Sequence, residues 1–177
     1  SLVALAKTAS IALTSYKETS LQGDSALIEI YKEMGVTSYF EGNKLTLTKQ
    51  TDFEYKDLNL ELNNTPDIAQ TIVVTCLGLG IGCHLTGLHT LKIKETNRVL
   101  ALQQELAKIG VKFIEKNFSY KLDCSGLHFP EKITINTYED HRMAMAFAPL
   151  ALKIKEVEIE EKEVVNKSYP YFWHDLE

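Results

Sequence analysis

Arginine is nearly missing from this chain: of 19 basic residues, only Arg98 and Arg142 are arginine and the other 17 are lysine. Long apolar runs are missing as well. The longest, 72–83, is interrupted by Gly78, Gly80 and Gly82 and falls short of the ~18 residues a membrane-spanning helix needs. No basic stretch leading into an apolar core and a small-residue cleavage site opens the sequence, so we expect no secretory leader and a cytoplasmic protein. A basic surplus is lacking too. The net charge is −5, which argues against nucleic acid or an anionic membrane surface as a partner. Cys76, Cys83 and Cys124 are odd in number and lie in or beside apolar segments, so reduced thiols are expected, not bridges. The five histidines are scattered and no Cys/His spacing suits zinc. What remains is ordinary globular composition, 45% apolar and 24% charged over 177 residues. That excludes disordered or repetitive fibrous architecture and suits one domain that buries about two-thirds of its unfolded surface.

The two arginines stand in telling places. Arg98 follows Lys92-Ile-Lys-Glu-Thr-Asn97 and precedes the helical pattern Val99, Leu100, Leu102, Leu106, Ile109, closed by Gly110. Arg142 ends Glu139-Asp-His-Arg and precedes the apolar run 143–148. Both are predicted to lie in the first turn of a helix, where the macrodipole disfavours a cation by up to about 1 kcal/mol. A planar guanidinium matches a carboxylate or phosphate with two parallel hydrogen bonds, which lysine cannot do. Breaking a local rule with the scarcest cation points to two receptors for a small anion.

The chain also repeats itself. Leu13–Gln22 lines up with Leu85–Lys94, and the helix ending at Gly35 lines up with the one ending at Gly110. A predicted hairpin follows each glycine, Thr37–Glu41 with Lys44–Thr48 and then Val111–Glu115 with Ser119–Asp123. Further strands are predicted at Leu58–Leu62 and Lys132–Asn136, and helices at Leu2–Ala6, Ser25–Met34, Ile68–Leu79 and Met143–Leu152. Asp24 is expected to cap the Ser25 helix, and Thr65 the next one, with Pro66 in its first turn. Gln22 is read as structural. A third copy begins at Met143, passes through Val157–Ile159 and stops after Trp173. The expectation is an α+β domain, a pseudo-threefold repeat of βαβαββ-type units with buried helices and outer mixed sheets.

Thr65-Pro-Asp67, Lys92-Ile-Lys-Glu-Thr-Asn-Arg98, Tyr138-Glu-Asp-His-Arg-Met-Ala-Met145 and Asn166-Lys-Ser-Tyr-Pro-Tyr-Phe172, in this order and spacing, resemble the C-terminal lobe of the 5-enolpyruvylshikimate-3-phosphate (EPSP) synthases. Ser20–Asp24 and Met34-Gly35 extend the likeness over nearly the whole chain. The resemblance implies one lobe of the enolpyruvyl transferase fold over residues 1–177, its first unit cut short, with the N-terminal lobe that forms the other wall of the cleft absent. A lone lobe is then expected to be inactive. The implied reaction transfers the enolpyruvyl group of phosphoenolpyruvate to the 5-hydroxyl of shikimate 3-phosphate, on the shikimate pathway to aromatic amino acids, and releases phosphate without metal or organic cofactor.

The same resemblance implies roles for named residues. Asp67 is a candidate base that also reaches the shikimate hydroxyls, although a Pro-Asp helix opening explains it on structural grounds alone. Lys94 is a candidate acid and Glu95 a second proton carrier. Arg98 and Arg142 would bind phosphoenolpyruvate, Lys167 would complete the cationic pocket, and His141 would bond the phosphate. Thr90 stands where the family often has an asparagine that touches substrate. Asn97 replaces the usual aspartate and can still cap a helix. Two alternatives stay open: a lobe of the related UDP-N-acetylglucosamine enolpyruvyl transferase, and a catalytically silent anion-binding fragment.

Overall fold

The computed structural model describes residues 1–15 and 23–176; Gln22 and most of the Ser20–Asp24 match lie outside the described residues. Nine strands and six α-helices occur among the described residues. The helices are α1 (Leu2–Leu5), α2 (Leu27–Lys32), α3 (Ala69–Leu79), α4 (Arg98–Ala107), α5 (His141–Phe147) and α6 (Phe172–Leu176). The strands are β1 (Ser10–Thr14), β2 (Val36–Glu41), β3 (Lys44–Lys49), β4 (Leu58–Glu61), β5 (Cys83–Thr86), β6 (Lys112–Lys116), β7 (Ser119–Asp123), β8 (Lys132–Ile135) and β9 (Glu156–Ile159). None of the helices is long and apolar enough to cross a membrane.

Both hairpins form where period-two alternation and turn residues predict them. Their turns need left-handed backbone, supplied by Gly42 (φ 60°) in one and by Asn117 and Phe118 (φ 51° and 60°) in the other. The sheets are ordered β1-β3-β2, β4-β5-β7-β6 and β8-β9. The first is antiparallel throughout, the last is a parallel pair, and mixed pairing is confined to the four-stranded sheet. The βαβαββ unit is complete in β4-α3-β5-α4-β6-β7. The same order runs from α1 to β3, and β8-α5-β9 begins another round. The parallel pairs join the two strands that flank a buried helix within one round, Leu58 opposite Cys83 on either side of α3 and Lys132 opposite Glu156 on either side of α5. Each sheet therefore belongs to a single round, and the rounds meet through their helices, α3 packing on α1 and on α5.

The helices α1, α3 and α5 fill the centre. In α3, nine of eleven residues are buried, and the helix packs against both α1 and α5, as its mostly apolar sequence requires. Gly80 (φ 73°) ends it in a left-handed cap. Local expectations fail in three places. First, α2 starts only at Leu27, behind a 3-10 turn over Gly23–Ala26, so Asp24 does not stand at its N-cap. Second, Thr65 precedes a 3-10 turn over Pro66–Ile68 and its hydroxyl makes no capping bond. Third, the predicted Met143–Leu152 helix changes to a 3-10 turn at Ala148, because Pro149 has no N–H to continue the α-helical ladder.

Gly87 brings together two loops that matter below. Its φ is +81°, and a Cβ there would lie 2.4 Å from the backbone nitrogen of Asn63. Only a residue without a side chain lets the segment before Thr90 lie against the segment before Thr65. Replacing Gly87 by alanine is expected to lower unfolding free energy by about 2 kcal/mol or more, read from urea denaturation of the variant beside the parent.

Candidate functional site

Three segments distant in sequence meet where α3, α4 and α5 begin. The 3-10 turn Pro66–Ile68 leads into α3 and packs against a second 3-10 turn, His89–Ile93, which precedes Lys94–Asn97 and α4. Residues 136–140 lead into α5, which packs on α3 and on the 3-10 turn Lys162–Lys167. Both predicted helix starts hold. The Asn97 side chain accepts from the Leu100 N–H at 3.1 Å, and the Asp140 side chain accepts from the Arg142 N–H at 2.8 Å.

Arg98 is the first residue of α4 and is 1% exposed. Its Nε donates to Asp140 at 2.6 Å, Nη1 to Asp67 at 2.9 Å, and Nη2 to Glu95 at 2.7 Å and to Asp140 at 3.5 Å. The guanidinium therefore faces three carboxylates, one from each of the converging segments. This resolves the electrostatic anomaly read from sequence: the cation at a helix N-terminus is compensated by anions that converge on it in space. The partners differ in kind. Asp140 is fully buried, whereas the Asp67 and Glu95 side chains are 37% and 45% exposed.

Asp67 is the hub. Its carboxylate lies 3.1 Å from the Lys94 ammonium, and its backbone carbonyl accepts from Arg142 Nη1 at 3.2 Å. Partial burial pushes the carboxyl's pKa up, but the Lys94 hydrogen bond and the charges of Lys94, Arg142 and Arg98 outweigh it, so it lies below its ordinary value. Lys167 donates to the Glu139 carbonyl at 3.0 Å. His141 follows Asp140, and burial, aided by Arg142 and Lys167 against the pull of Asp140, pushes its imidazole pKa down. His141 Nδ1 is buried and makes no hydrogen bond. The structure thus brings Asp67, Lys94, Glu95, Arg98, His141, Arg142 and Lys167 into one neighbourhood. Thr90 stands apart from this bonded network, in the 3-10 turn packed on Pro66–Ile68, with its hydroxyl buried and unpartnered.

Sequence reasoning passed over two carboxylates. Asp140 was legible only as a helix-opening acid, yet it ties Arg98 to the Arg142 backbone. Glu105 sits among Val99, Leu102 and Leu106 on the buried face of α4 and is itself fully buried. A charge inside an apolar stripe was the available signal.

Against known proteins, the sequence profile of EPSP synthase (3-phosphoshikimate 1-carboxyvinyltransferase) matches residues 1–176. The chain belongs to the EPSP synthase family. It is 41% identical over 177 residues to the 3-phosphoshikimate 1-carboxyvinyltransferase of Bacteroides fragilis (strain YCH46), covering 99% of this chain and 43% of that protein. It is 34% identical over 158 residues to the enzyme of the same name from Syntrophobacter fumaroxidans, covering 89% of this chain and 37% of that protein. The chain thus spans less than half the length of these relatives. The enolpyruvyl transferase NikO from Streptomyces tendae superposes with a TM-score of 0.69 at 12% identity, over 99% of this chain and 40% of that one. This likeness fixes the fold as one lobe of the enolpyruvyl transferase type. Within the EPSP synthase fold the four quoted motifs lie on the three helix starts and on the 3-10 turn that backs α5.

Two predictions follow from the geometry. Replacing Asp140 by alanine leaves the buried Arg98 short of its closest carboxylate and is expected to cost about 3 kcal/mol, measured by denaturant unfolding. On titration followed by NMR, Asp67 is expected below 3.8 and His141 below 6.5. Both folded-state values are depressed, so each group's contribution to stability is complete above its unfolded value. That contribution is lost as pH falls through the folded one, His141 acting at higher pH than Asp67.

Proposed function

We propose that this chain is a single C-terminal lobe, residues 1–177, of an enzyme that transfers the enolpyruvyl group of phosphoenolpyruvate to the 5-hydroxyl of shikimate 3-phosphate. An N-terminal lobe of the same enzyme closes the other side of the cleft. The observation that carries this reading is the gathering of Lys94, Arg98 and Arg142 around Asp67, with Lys167 held nearby at Glu139. Both arginines of the chain stand in that cluster. Phosphoenolpyruvate presents a phosphate and a carboxylate on three carbons, and paired guanidinium forks suit both groups.

In this reading Arg98 and Arg142 receive phosphoenolpyruvate, Lys167 adds charge beside them, and His141, kept neutral, offers a hydrogen bond to the phosphate. Thr90, in the turn packed on Pro66–Ile68, is assigned to the shikimate 3-phosphate side of the site, where its hydroxyl, buried and unpartnered, must first be uncovered. Asp67 binds the ring hydroxyls and takes the 5-hydroxyl proton. Lys94 and Glu95 are the groups within reach that protonate the methylene carbon.

The geometry supplies a reason for the order of events. Asp67 and Glu95 lie on Arg98. An arriving anion competes with them for the guanidinium and for Lys94. As those cations turn to the ligand, the groups that hold the Asp67 pKa down are withdrawn and negative charge is added beside it. Its affinity for a proton therefore rises when a base is required. Asp140, buried behind Arg98, stays in place and keeps the guanidinium aimed.

The names of the relatives favour this substrate pair over UDP-N-acetylglucosamine as acceptor. In the complete enzyme, Arg98→Lys and Arg142→Lys are each expected to reduce kcat/KM for phosphoenolpyruvate by roughly 10- to 100-fold, the worth of a charge-assisted bidentate contact. Exchanging an exposed lysine such as Lys132 for arginine should leave it unchanged. Titration of the chain alone with phosphoenolpyruvate and shikimate 3-phosphate, with phosphate release followed, separates a silent anion-binding lobe from a competent enzyme. Turnover by the chain alone contradicts the requirement for a second lobe.

A further inference from the structure

Glu105 has no part in the chemistry above, yet its carboxylate is fully buried and fully engaged. Oε1 accepts from the Tyr138 hydroxyl at 2.7 Å, and Oε2 from the Asn136 N–H at 3.1 Å and from the Lys108 ammonium at 2.6 Å. Glu105 lies two turns after Arg98 on α4, so both point to the same side of the helix. Arg98 grips Asp140 while Glu105 grips Asn136 and Tyr138. One helix thus clamps the 136–140 segment at both ends.

Between the two grips the backbone is strained. Tyr138 and Glu139 have φ of 55° and 58°, successive left-handed residues with side chains, which persist only where the surroundings impose them. The residues at and just after this kink belong to the site. The Glu139 carbonyl takes the Lys167 ammonium, and Asp140 caps α5 through the Arg142 N–H and holds Arg98.

We propose that Glu105 is a positioning residue for the anion site: through Tyr138 and Asn136 it holds the Tyr138–Glu139 kink, and so fixes where Asp140, Arg142 and Lys167 stand. The proposal rests on the reading that Arg98 and Arg142 receive phosphoenolpyruvate. Glu105 touches no reacting atom; it acts through the backbone it restrains.

The test uses the complete enzyme with Glu105→Gln and Tyr138→Phe, and Arg142→Lys in parallel. Glutamine keeps the shape but cannot accept at both terminal atoms, and phenylalanine deletes one hydroxyl. Both variants are expected to raise KM for phosphoenolpyruvate at least about tenfold, since small misplacements of binding groups are costly, while KM for shikimate 3-phosphate stays put. The Arg142 backbone amide and the Arg98 Nε–H resonances should shift in both. Reduced thermal stability with KM values and those resonances unchanged means that Glu105 merely supports the fold, and overturns the proposal. Should Glu105→Gln fail to fold, Tyr138→Phe decides alone. If Arg142→Lys raises KM for phosphoenolpyruvate but the other two do not, the positioning role falls and the anion site stands. If Arg142→Lys has no effect, the anion site falls and the positioning role with it.

Discussion

A guanidinium ion carried out of water must keep its charge balanced and its N–H donors occupied, or the burial is ruinous. Arg98 meets that demand with Asp67, Glu95 and Asp140, supplied from the start of α3, the approach to α4 and the start of α5. No two of these segments are neighbours in the chain. Because the cation needs all three, it pins the three helix starts to one another. The rest of the site inherits its geometry from that cross-link: Lys94 reaches the same aspartate as Arg98, and Arg142 reaches the same aspartate's backbone.

The partners of Arg98 fall into two groups with different prospects. Asp140 is sealed in, backed by the helix it caps, and behaves as part of the frame. Asp67 and Glu95 keep roughly two-fifths of their side-chain surface in water, so their hold on the guanidinium is screened and exchangeable. A site built this way balances its own charge and is still able to release its cation to a better anion. On the proposed function, the two exchangeable carboxylates are also the proton carriers, which couples ligand arrival to their change in basicity.

Much of the fold was legible. The hairpins β2–β3 and β6–β7 were readable because strand alternation and turn residues are local properties. Helix α3 was readable because a mostly apolar stretch closed by Gly80 has one comfortable home. The misreadings were also local in cause. Thr65 offers a hydroxyl but the chain enters α3 through a 3-10 turn, Pro149 interrupts a pattern that looks continuous, and Leu100, counted with the apolar stripe, is about half exposed. The cationic site residues stood out because arginine is so scarce against lysine that its placement carries information.

The sequence by itself determined the element order, the repeat, and which charged side chains stand at the helix starts, since each depends on residue type and spacing along the chain. It could not show that Arg98 is masked by carboxylates, that Asp140 joins the two arginines, or that Glu105 is spent on a kink thirty residues further on. Those facts turn on which groups face one another once the strands are paired and the helices packed. Tertiary structure alone decides them, because the cost of an unpaired buried charge is set by its neighbours in space and not by its neighbours in the chain.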